Sequence, residues 1–253
     1  MTHITLTATV GTVSLTDKIK MGPLFTNPLF RLDVHWTMLN DDVRTITYAT
    51  FILSNPSVFR DAVVLDVGCG TGILSLFAAR AGAKKVFAVD ASKIADKAEE
   101  IVKASGYADV ITYVRPPEIS QELPRILTAC SIVRGKVESI QLPAEYPKVD
   151  VIISEWMGYA LLYESMLDSV LHARDRFLKP NGGVMAPSQT RIVLALCDPE
   201  SVIKQRIGFW KNVYGFDMTC MLDGVYDEGI VEVVPADTVL TTSAVVKVGP
   251  PFS

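Results

Sequence analysis

Short apolar runs alternate with amphipathic segments through the middle of the chain. The runs at 63–67, 85–89 and 149–154 are typical of strands buried on both faces of a parallel sheet. Apolar residues recur at helical spacing between and after these runs. This alternation predicts an α/β domain with right-handed crossovers. The predicted helices are 38–53, 73–81, 92–103 and 163–178.

The two ends of the chain lack this pattern. Residues 1–33 carry scattered glycines and prolines, and they predict no regular element. After Pro187, β-branched runs at 190–196 and 238–248 predict strands, and the aromatic segment 208–216 between them is partly helical in pattern. We therefore divide the chain into an unpatterned segment (1–33), an α/β domain (34–187) and a third region (188–253).

Composition narrows the class of protein. Of 253 residues, 49% are hydrophobic and 21% are charged, which predicts a globular protein with a core. The net charge of −4 argues against direct binding of nucleic acid and favours an enzyme that attracts basic polypeptides. The four cysteines lack paired spacing, so we expect no metal and a reducing compartment, the cytoplasm or the nucleus. No signal peptide and no apolar run of ~20 residues occurs, which predicts no membrane contact.

A glycine loop, Asp66-Val-Gly68-Cys-Gly70-Thr-Gly72, follows the first buried run. Glycines let the backbone approach a ligand closely, and the following helix offers free amides. Asp90, at the end of the next run, is placed to accept hydrogen bonds from ribose hydroxyls. The G-x-G-x-G spacing disfavours a nicotinamide-dependent dehydrogenase. A tight turn without ligand is the alternative, but the loop with both aspartates resembles the S-adenosylmethionine site of class I methyltransferases.

Residues 154–167 carry two glutamates in an aromatic context. Glu155 ends a buried run, where ligands bind in open α/β sheets, and Glu164 begins the next predicted helix. Gly158 lets the loop between them fold back. Two facing carboxylates need a cation between them, and a guanidinium suits because it is planar, permanently charged and bidentate. The alternative is that both glutamates are solvated and that Glu164 only favours a helix N-terminus.

This run closely resembles the double-glutamate loop of protein arginine methyltransferases, and the similarity covers roughly residues 34–246. The resemblance implies an α/β class I S-adenosylmethionine-dependent methyltransferase (Rossmann-like) sheet, followed by the start of a β-barrel domain. It also implies that Glu155 and Glu164 are catalytic: they hold a substrate arginine while one of its nitrogens attacks the methyl group of S-adenosyl-L-methionine. The substrate would be an arginine-containing protein, such as a histone or a Gly/Arg-rich protein.

A second motif, from His35 to Thr45 and ahead of the glycine loop, matches the family segment that folds over the cofactor. The resemblance implies that Arg44 pairs with the methionyl carboxylate, with His35 nearby, and that Glu138 receives the adenine amino group. Met38 and Met166 match methionines that line the site in the asymmetric-dimethylating branch. As alternatives, Arg44 and Glu138 would be surface charges and the methionines plain core. The predicted cofactor-binding residues are His35, Met38, Arg44, Asp66, Gly68, Gly70, Asp90, Glu138 and Met166.

The segment from Trp210 to Phe216, within 203–235, resembles the family's dimerisation arm, which packs on the cofactor domain of a second subunit. The resemblance implies a homodimer; an ordinary core helix and loop is the alternative. Residues 113–131, with three prolines, have no counterpart in the family and predict an exposed insertion. The chain stops at Ser253, where the family's barrel begins, so we expect a truncated barrel. A non-catalytic methyltransferase-like protein that binds cofactor or a family partner is therefore the alternative function.

Overall fold

The computed structural model describes residues 5–9, 28–114, 136–198, 200, 203–224 and 234–248. Two sheets are present in these residues, one of five parallel strands in the order β4-β3-β2-β5-β6 and one of three strands in the order β1-β7-β8. The strands are β1 (Thr5–Thr9), β2 (Val63–Val67), β3 (Lys85–Val89), β4 (Ile111–Tyr113), β5 (Val151–Ile153), β6 (Val184–Ala186), β7 (Gln189–Leu194) and β8 (Ala244–Val248).

Helices cover both faces of the parallel sheet. Their ends follow local rules: the Asp41 side chain caps α2 by accepting a hydrogen bond from the Arg44 amide at 3.0 Å, and Pro56 occupies the first turn of α3. The α-helices of the described residues are α1 (Pro28–Asn40), α2 (Asp42–Ser54), α3 (Pro56–Phe59), α4 (Ile73–Arg80), α5 (Ile94–Ala104) and α6 (Leu167–Phe177).

The sheet separates two hydrophobic clusters. Every residue of β2 is buried, and its successive side chains point to opposite faces. Val64 belongs to the cluster beneath α2, α4 and α5, and Leu65 belongs to the cluster beneath α6. A strand that contributes to both cores reads as a continuous apolar run, which is why the run at 63–67 predicted β2 correctly.

The strand order creates a crevice at one edge of the sheet. From β2 the chain proceeds outward through β3 and β4, then returns to β5 on the other side of β2 and continues to β6. Ligands bind at such a reversal, outside the carboxyl ends of the strands. The residues after β2 and after β5 therefore meet there, and these are the glycine loop and Glu155.

The C-terminal region has a different construction. Strand β7 pairs antiparallel with β8 and parallel with β1, whose Thr5 lies opposite Gln189. Between β7 and β8 lie a π-helical turn, Ile203–Ile207, and a 3₁₀ turn, Gly208–Lys211. The predicted strands of this region are confirmed with later starts or earlier ends, since β7 stops at Leu194 and β8 begins at Ala244.

Three predictions about elements need correction. The predicted helix 38–53 is two helices, because Asp41 ends α1 and caps α2. The unpatterned segment 1–33 contains β1 and the start of α1. The helix predicted from residue 163 begins at Leu167, so Glu164 lies in the turn before α6 and not in its first turn.

The predicted insertion begins at the edge strand β4. Tyr113 is the last residue of β4, and both it and Val114 are buried, so these two residues belong to the sheet region. Residues 115–135 lie outside the described residues, and the prediction of an exposed excursion there stays a prediction. Among the described residues, every helix is too short or too polar to cross a membrane.

Candidate active site

The glycine loop turns sharply at the end of β2. Gly68, Gly70 and Gly72 have φ values of 73°, 54° and 82°, in the left-handed region that side chains disfavour. The amides of Gly68 and Cys69 both donate to the Val89 carbonyl oxygen, at 2.8 and 3.0 Å. These bonds fix the loop against β3, and Gly72 then starts α4.

Asp90 joins the loop to the end of β3. Its Oδ2 accepts a hydrogen bond from the Gly70 amide at 2.9 Å. Its Oδ1 accepts from the Ser92 amide at 2.8 Å and from Ser92 Oγ at 2.6 Å. Oδ1 thus uses both of its lone pairs while Oδ2 keeps one, so the carboxylate is held in place and Oδ2 can still accept a hydrogen bond from a ligand.

Asp66 lies beneath the loop and has no exposure to solvent. Ser75 Oγ donates to its Oδ2 at 2.7 Å, and Oδ1 has no partner among the described residues. Burial raises the pKa of Asp66 to about 7, although the Ser75 hydrogen bond opposes the shift. Asp66 thus ties the end of β2 to α4 and keeps one unused polar atom, and its role in cofactor binding stays a prediction.

A cavity of about 510 Å³ opens between the glycine loop and α6. Its lining brings together Gly68, Asp90, Glu138, Glu164 and Met166. This volume lies within the range of small-molecule and cofactor sites, roughly 300–1,000 Å³. Predicted site residues from four separate parts of the chain thus surround one cavity.

Gly68 and Glu138 shape the wall of this cavity. A Cβ atom at Gly68 would displace the terminal methyl group of Met166, and the φ of 73° there favours glycine in any case. Ser169 Oγ donates to Glu138 Oε1 at 2.6 Å. Partial burial raises the pKa of Glu138, but hydrogen bonds from Ser169 and from its own backbone outweigh burial and leave the pKa below its ordinary value. Glu138 is thus a carboxylate acceptor at the cavity wall.

Arg44 holds Glu155 from helix α2. Its Nε and Nη2 atoms lie 2.6 and 2.5 Å from Glu155 Oε2, and its Nη1 donates to the Met38 carbonyl oxygen at 2.8 Å. Both carboxylate contacts use Oε2, so Oε1 remains available. The structure therefore places a guanidinium group directly on one of the two predicted catalytic glutamates.

Glu164 reaches the same place through a tight hairpin. Gly158 and Leu161 exchange backbone hydrogen bonds of 3.3 and 3.0 Å, which folds the loop back on itself. A Cβ atom at Gly158 would lie 2.6 Å from Glu164 Cγ, so glycine is required there. Burial raises the pKa of Glu164, and the charge of Glu155 raises it further. The two carboxylates are thus near enough to interact.

The remaining predicted residues lie around this pair. His35 on α1 is half-buried, and burial lowers its pKa, while the charges of Asp90 and Arg44 act on it in opposite directions. Met38 meets Arg44 through its backbone oxygen.

Two residues of the site were missed by sequence reasoning. Tyr48 Oη donates to the Ser154 carbonyl oxygen at 2.9 Å, and Ser154 Oγ donates to the Val67 carbonyl oxygen at 2.7 Å. The partners are 87 and 106 residues apart, so no local pattern reports the contacts. The one available signal was the position of Tyr48, a single helical turn after Arg44.

Comparisons with known proteins identify the fold and the family. Residues 50–125 match a family model described as ribosomal protein L11 methyltransferase (PrmA). Residues 188–248 match one described as the arginine methyltransferase oligomerization subdomain. A solved structure of the Trypanosoma brucei PRMT1 enzyme-prozyme heterotetrameric complex with AdoHcy superposes with a TM-score of 0.68 at 42% identity, over 87% of this chain and 62% of that one. The predicted class I methyltransferase fold is thereby confirmed.

Curated relatives extend the match along the sequence. Protein arginine N-methyltransferase 1 of Schizosaccharomyces pombe is 48% identical over 213 residues, which are 84% of this chain and 56% of that protein. The Saccharomyces cerevisiae protein of the same name is 42% identical over 233 residues, 91% of this chain and 61% of that protein. The chain thus spans little more than half the length of these relatives. With this identity over most of its residues, the chain belongs to the protein arginine N-methyltransferase family.

Proposed function

We propose that this protein transfers a methyl group from S-adenosyl-L-methionine to the guanidinium of arginine in a protein substrate. The observation that carries the proposal is the guanidinium of Arg44, which lies on Glu155 at 2.5 and 2.6 Å. A carboxylate that already holds one guanidinium in a partly buried site has the charge and orientation to bind another. Glu164, beside it, supplies the second carboxylate.

The cavity suits the cofactor's parts. Asp90 Oδ2 offers a remaining lone pair for a ribose hydroxyl, and Glu138 offers an acceptor for an adenine amino group. Arg44 is the cation nearest to both Glu155 and His35, and it would share its charge with a methionyl carboxylate. When bound, S-adenosyl-L-methionine supplies an electrophilic methyl group on a sulfonium.

The chain's own residues would position the substrate nitrogen. Glu155 and Glu164 hold the substrate guanidinium by charge, and they turn one terminal nitrogen toward the cavity. The methylated guanidinium must then lose a proton. Glu164 is suited to accept it, because its pKa is raised by burial and by the neighbouring Glu155 charge.

The activity can be tested on the purified chain with a histone or a Gly/Arg-rich peptide. We expect mass spectrometry to find a mass increase of one methyl group on arginine when labelled S-adenosyl-L-methionine is supplied. Glu155→Gln should abolish transfer, because the amide keeps the shape and loses the charge, while calorimetry still detects cofactor binding.

Glu145→Gln is the matched control, since Glu145 is an exposed glutamate ten residues earlier in the chain. It should leave transfer unchanged. Cofactor binding without any transfer by the unaltered chain would instead support the non-catalytic alternative. Transfer that survives Glu155→Gln would refute the two-carboxylate clamp.

We also propose that the protein forms a homodimer through the arm at residues 210–216. Tyr214 and Phe216 are 96% and 71% exposed, and such apolar groups on a surface usually mark an interface. The cofactor domain offers a matching apolar stripe on α2, where Val43 and Ile46 are exposed. Light scattering should find a dimer that Tyr214→Ser with Phe216→Ser converts to monomer; a wild-type monomer would contradict this assembly.

The protein's partner proteins and place in the cell are proposed from its charge and cysteine pattern. Its net charge of −4 suits a basic, arginine-containing substrate, such as a histone or a Gly/Arg-rich protein. Unpaired cysteines are typical of the reducing cytoplasm and nucleus, where we place it. Fractionation of cells that express a tagged chain would test this placement.

A further inference from the structure

Helix α2 holds the end of β5 at two consecutive residues. Arg44 and Tyr48 lie one turn apart on α2, so their side chains share one face of the helix. Arg44 binds the carboxylate of Glu155, and the Tyr48 hydroxyl donates to the carbonyl oxygen of Ser154 at 2.9 Å. One helix face therefore fixes both the side chain of Glu155 and the peptide that precedes it.

Ser154 extends this connection to the glycine loop. Its Oγ donates to the carbonyl oxygen of Val67 at 2.7 Å, and its amide donates to the carbonyl oxygen of Ala186 at 3.0 Å. Val67 is the last residue of β2 and precedes Gly68. The polar groups of Ser154 are thus bound to α2, β2 and β6 at once, at the point where the double-glutamate loop leaves the sheet.

Burial makes these hydrogen bonds specific. Tyr48 is 3% exposed and Ser154 is 1% exposed, so water cannot replace a lost partner. Burial raises the pKa of Tyr48 well above its ordinary value, and the Glu155 charge raises it further, so the hydroxyl stays protonated and donates. In such an interior a displaced peptide would leave unpaired polar groups, which penalises every arrangement but this one.

We propose that Tyr48 and Ser154 are positioning residues for Glu155, which tie the two-carboxylate clamp, the glycine loop and α2 into a single frame. The inference deepens the proposed function and rests on it, since Glu155 is there the group that holds the substrate guanidinium. Neither Tyr48 nor Ser154 lines the cofactor cavity. Their effect is to keep Glu155 aligned with the cofactor cavity only while α2 is packed on the sheet.

Tyr48→Phe is the informative substitution, because it keeps the ring and removes one hydrogen bond. We expect kcat to fall roughly tenfold, the kinetic equivalent of losing one buried hydrogen bond, and the melting temperature to fall by a few degrees, while the KM for cofactor stays near wild type. Ser154→Ala removes only the hydrogen bond from Oγ to Val67 and keeps the carbonyl that Tyr48 binds, so it should raise the cofactor KM several-fold and lower kcat less than Tyr48→Phe does. The matched control is Tyr146→Phe, which removes a hydroxyl from a half-buried ring packed on Phe87, away from α2.

A second measurement does not depend on methyl transfer. In chain labelled with isotopic arginine, the Nε proton of Arg44 lies against Glu155 and should exchange slowly with water; the Arg44→Lys variant identifies its NMR signal. Tyr48→Phe should accelerate that exchange roughly tenfold, and Tyr146→Phe should not. If the wild-type chain is inactive but the acceleration is seen, the proposed function fails and the positioning role stands. Exchange at the wild-type rate in Tyr48→Phe would overturn the proposal, whatever the activity.

Discussion

The parallel sheet and the C-terminal region differ in how far their aromatic residues are exposed to solvent. Phe87, in the middle of β3, has no solvent exposure, whereas Phe216, in the arm, is 71% exposed. Every residue of β2 is buried, and no residue of the described stretch 203–224 is. The sheet completes its own core with residues of this chain. The arm holds apolar surface outward, for contacts that the described part of the chain does not supply.

Removal of an aromatic ring from the sheet should have the largest effect. Phe87→Ala should lower the free energy of unfolding by about 3–5 kcal/mol, because it leaves a cavity beside Tyr146 that the close-packed core cannot refill. Urea unfolding followed by circular dichroism measures this loss. A loss below about 1 kcal/mol would mean that the sheet is packed no more tightly than the arm.

The pH dependence of stability should follow next in size and should also come from the sheet. Asp66 has a folded-state pKa of about 7 against an ordinary 3.8, so the folded protein keeps a proton that the unfolded chain releases. The stability that Asp66 contributes is therefore fully present below about pH 4 and is lost as pH rises from about 4 to about 7. Without cofactor, the free energy of unfolding should fall by roughly 2–3 kcal/mol between pH 5 and pH 8, at about 1.4 kcal/mol per pKa unit.

Two substitutions isolate the origin of that slope. Asp66→Asn should flatten it. Asp217→Asn should not, because Asp217 is exposed and the Thr219 backbone amide lowers its pKa, away from this pH window. A slope that persists in Asp66→Asn would assign the effect to another group.

The cofactor site should show a smaller loss on substitution. Asp90→Ala should weaken S-adenosyl-L-methionine binding by ~1–3 kcal/mol in calorimetry, since charge-assisted hydrogen bonds are lost. Asp217→Ala is matched, because Asp217 accepts from the Thr219 amide just as Asp90 accepts from the Ser92 amide. Equal affinities in the two variants would remove Asp90 from the site.

The arm should show the smallest effect on folding. At concentrations where light scattering finds monomer, Phe216→Ala should change the free energy of unfolding by less than ~0.5 kcal/mol, because an exposed ring contributes little packing. Thermal melting measures the change. A loss near that of Phe87→Ala would show that the arm belongs to the protein's own core.

The same contrast explains which elements the sequence could predict. Strands β2 and β3 were predicted to the residue, because burial on both faces makes their apolar runs continuous. The start of α6 was missed by four residues. Ala160, Leu161 and Ser165 adopt φ values of 49°, 66° and 54° in the preceding turn, which apolar spacing does not reveal.

In the candidate site, too, some contacts could be predicted from the sequence and others could not. The glycine loop and Asp90 directly follow buried strands, so the sequence motif was enough to predict that they lie together at one edge of the sheet. The contacts of Tyr48 with Ser154 and of Arg44 with Glu155 join α2 to a loop more than 100 residues away. Such pairs depend on how a helix packs on the finished sheet, and this is a property of the tertiary structure and not of any local window.

Strand β1 has a consequence for the order of folding. It is synthesised before the five-stranded sheet, yet its partner β7 begins at residue 189, after the whole sheet has been made. Closing so long a loop early has a high entropic cost, so β1 waits as an unpaired segment while the local βα units assemble. Pairing of β1 with β7 is thus a late step of biosynthesis, which follows completion of the cofactor domain between them.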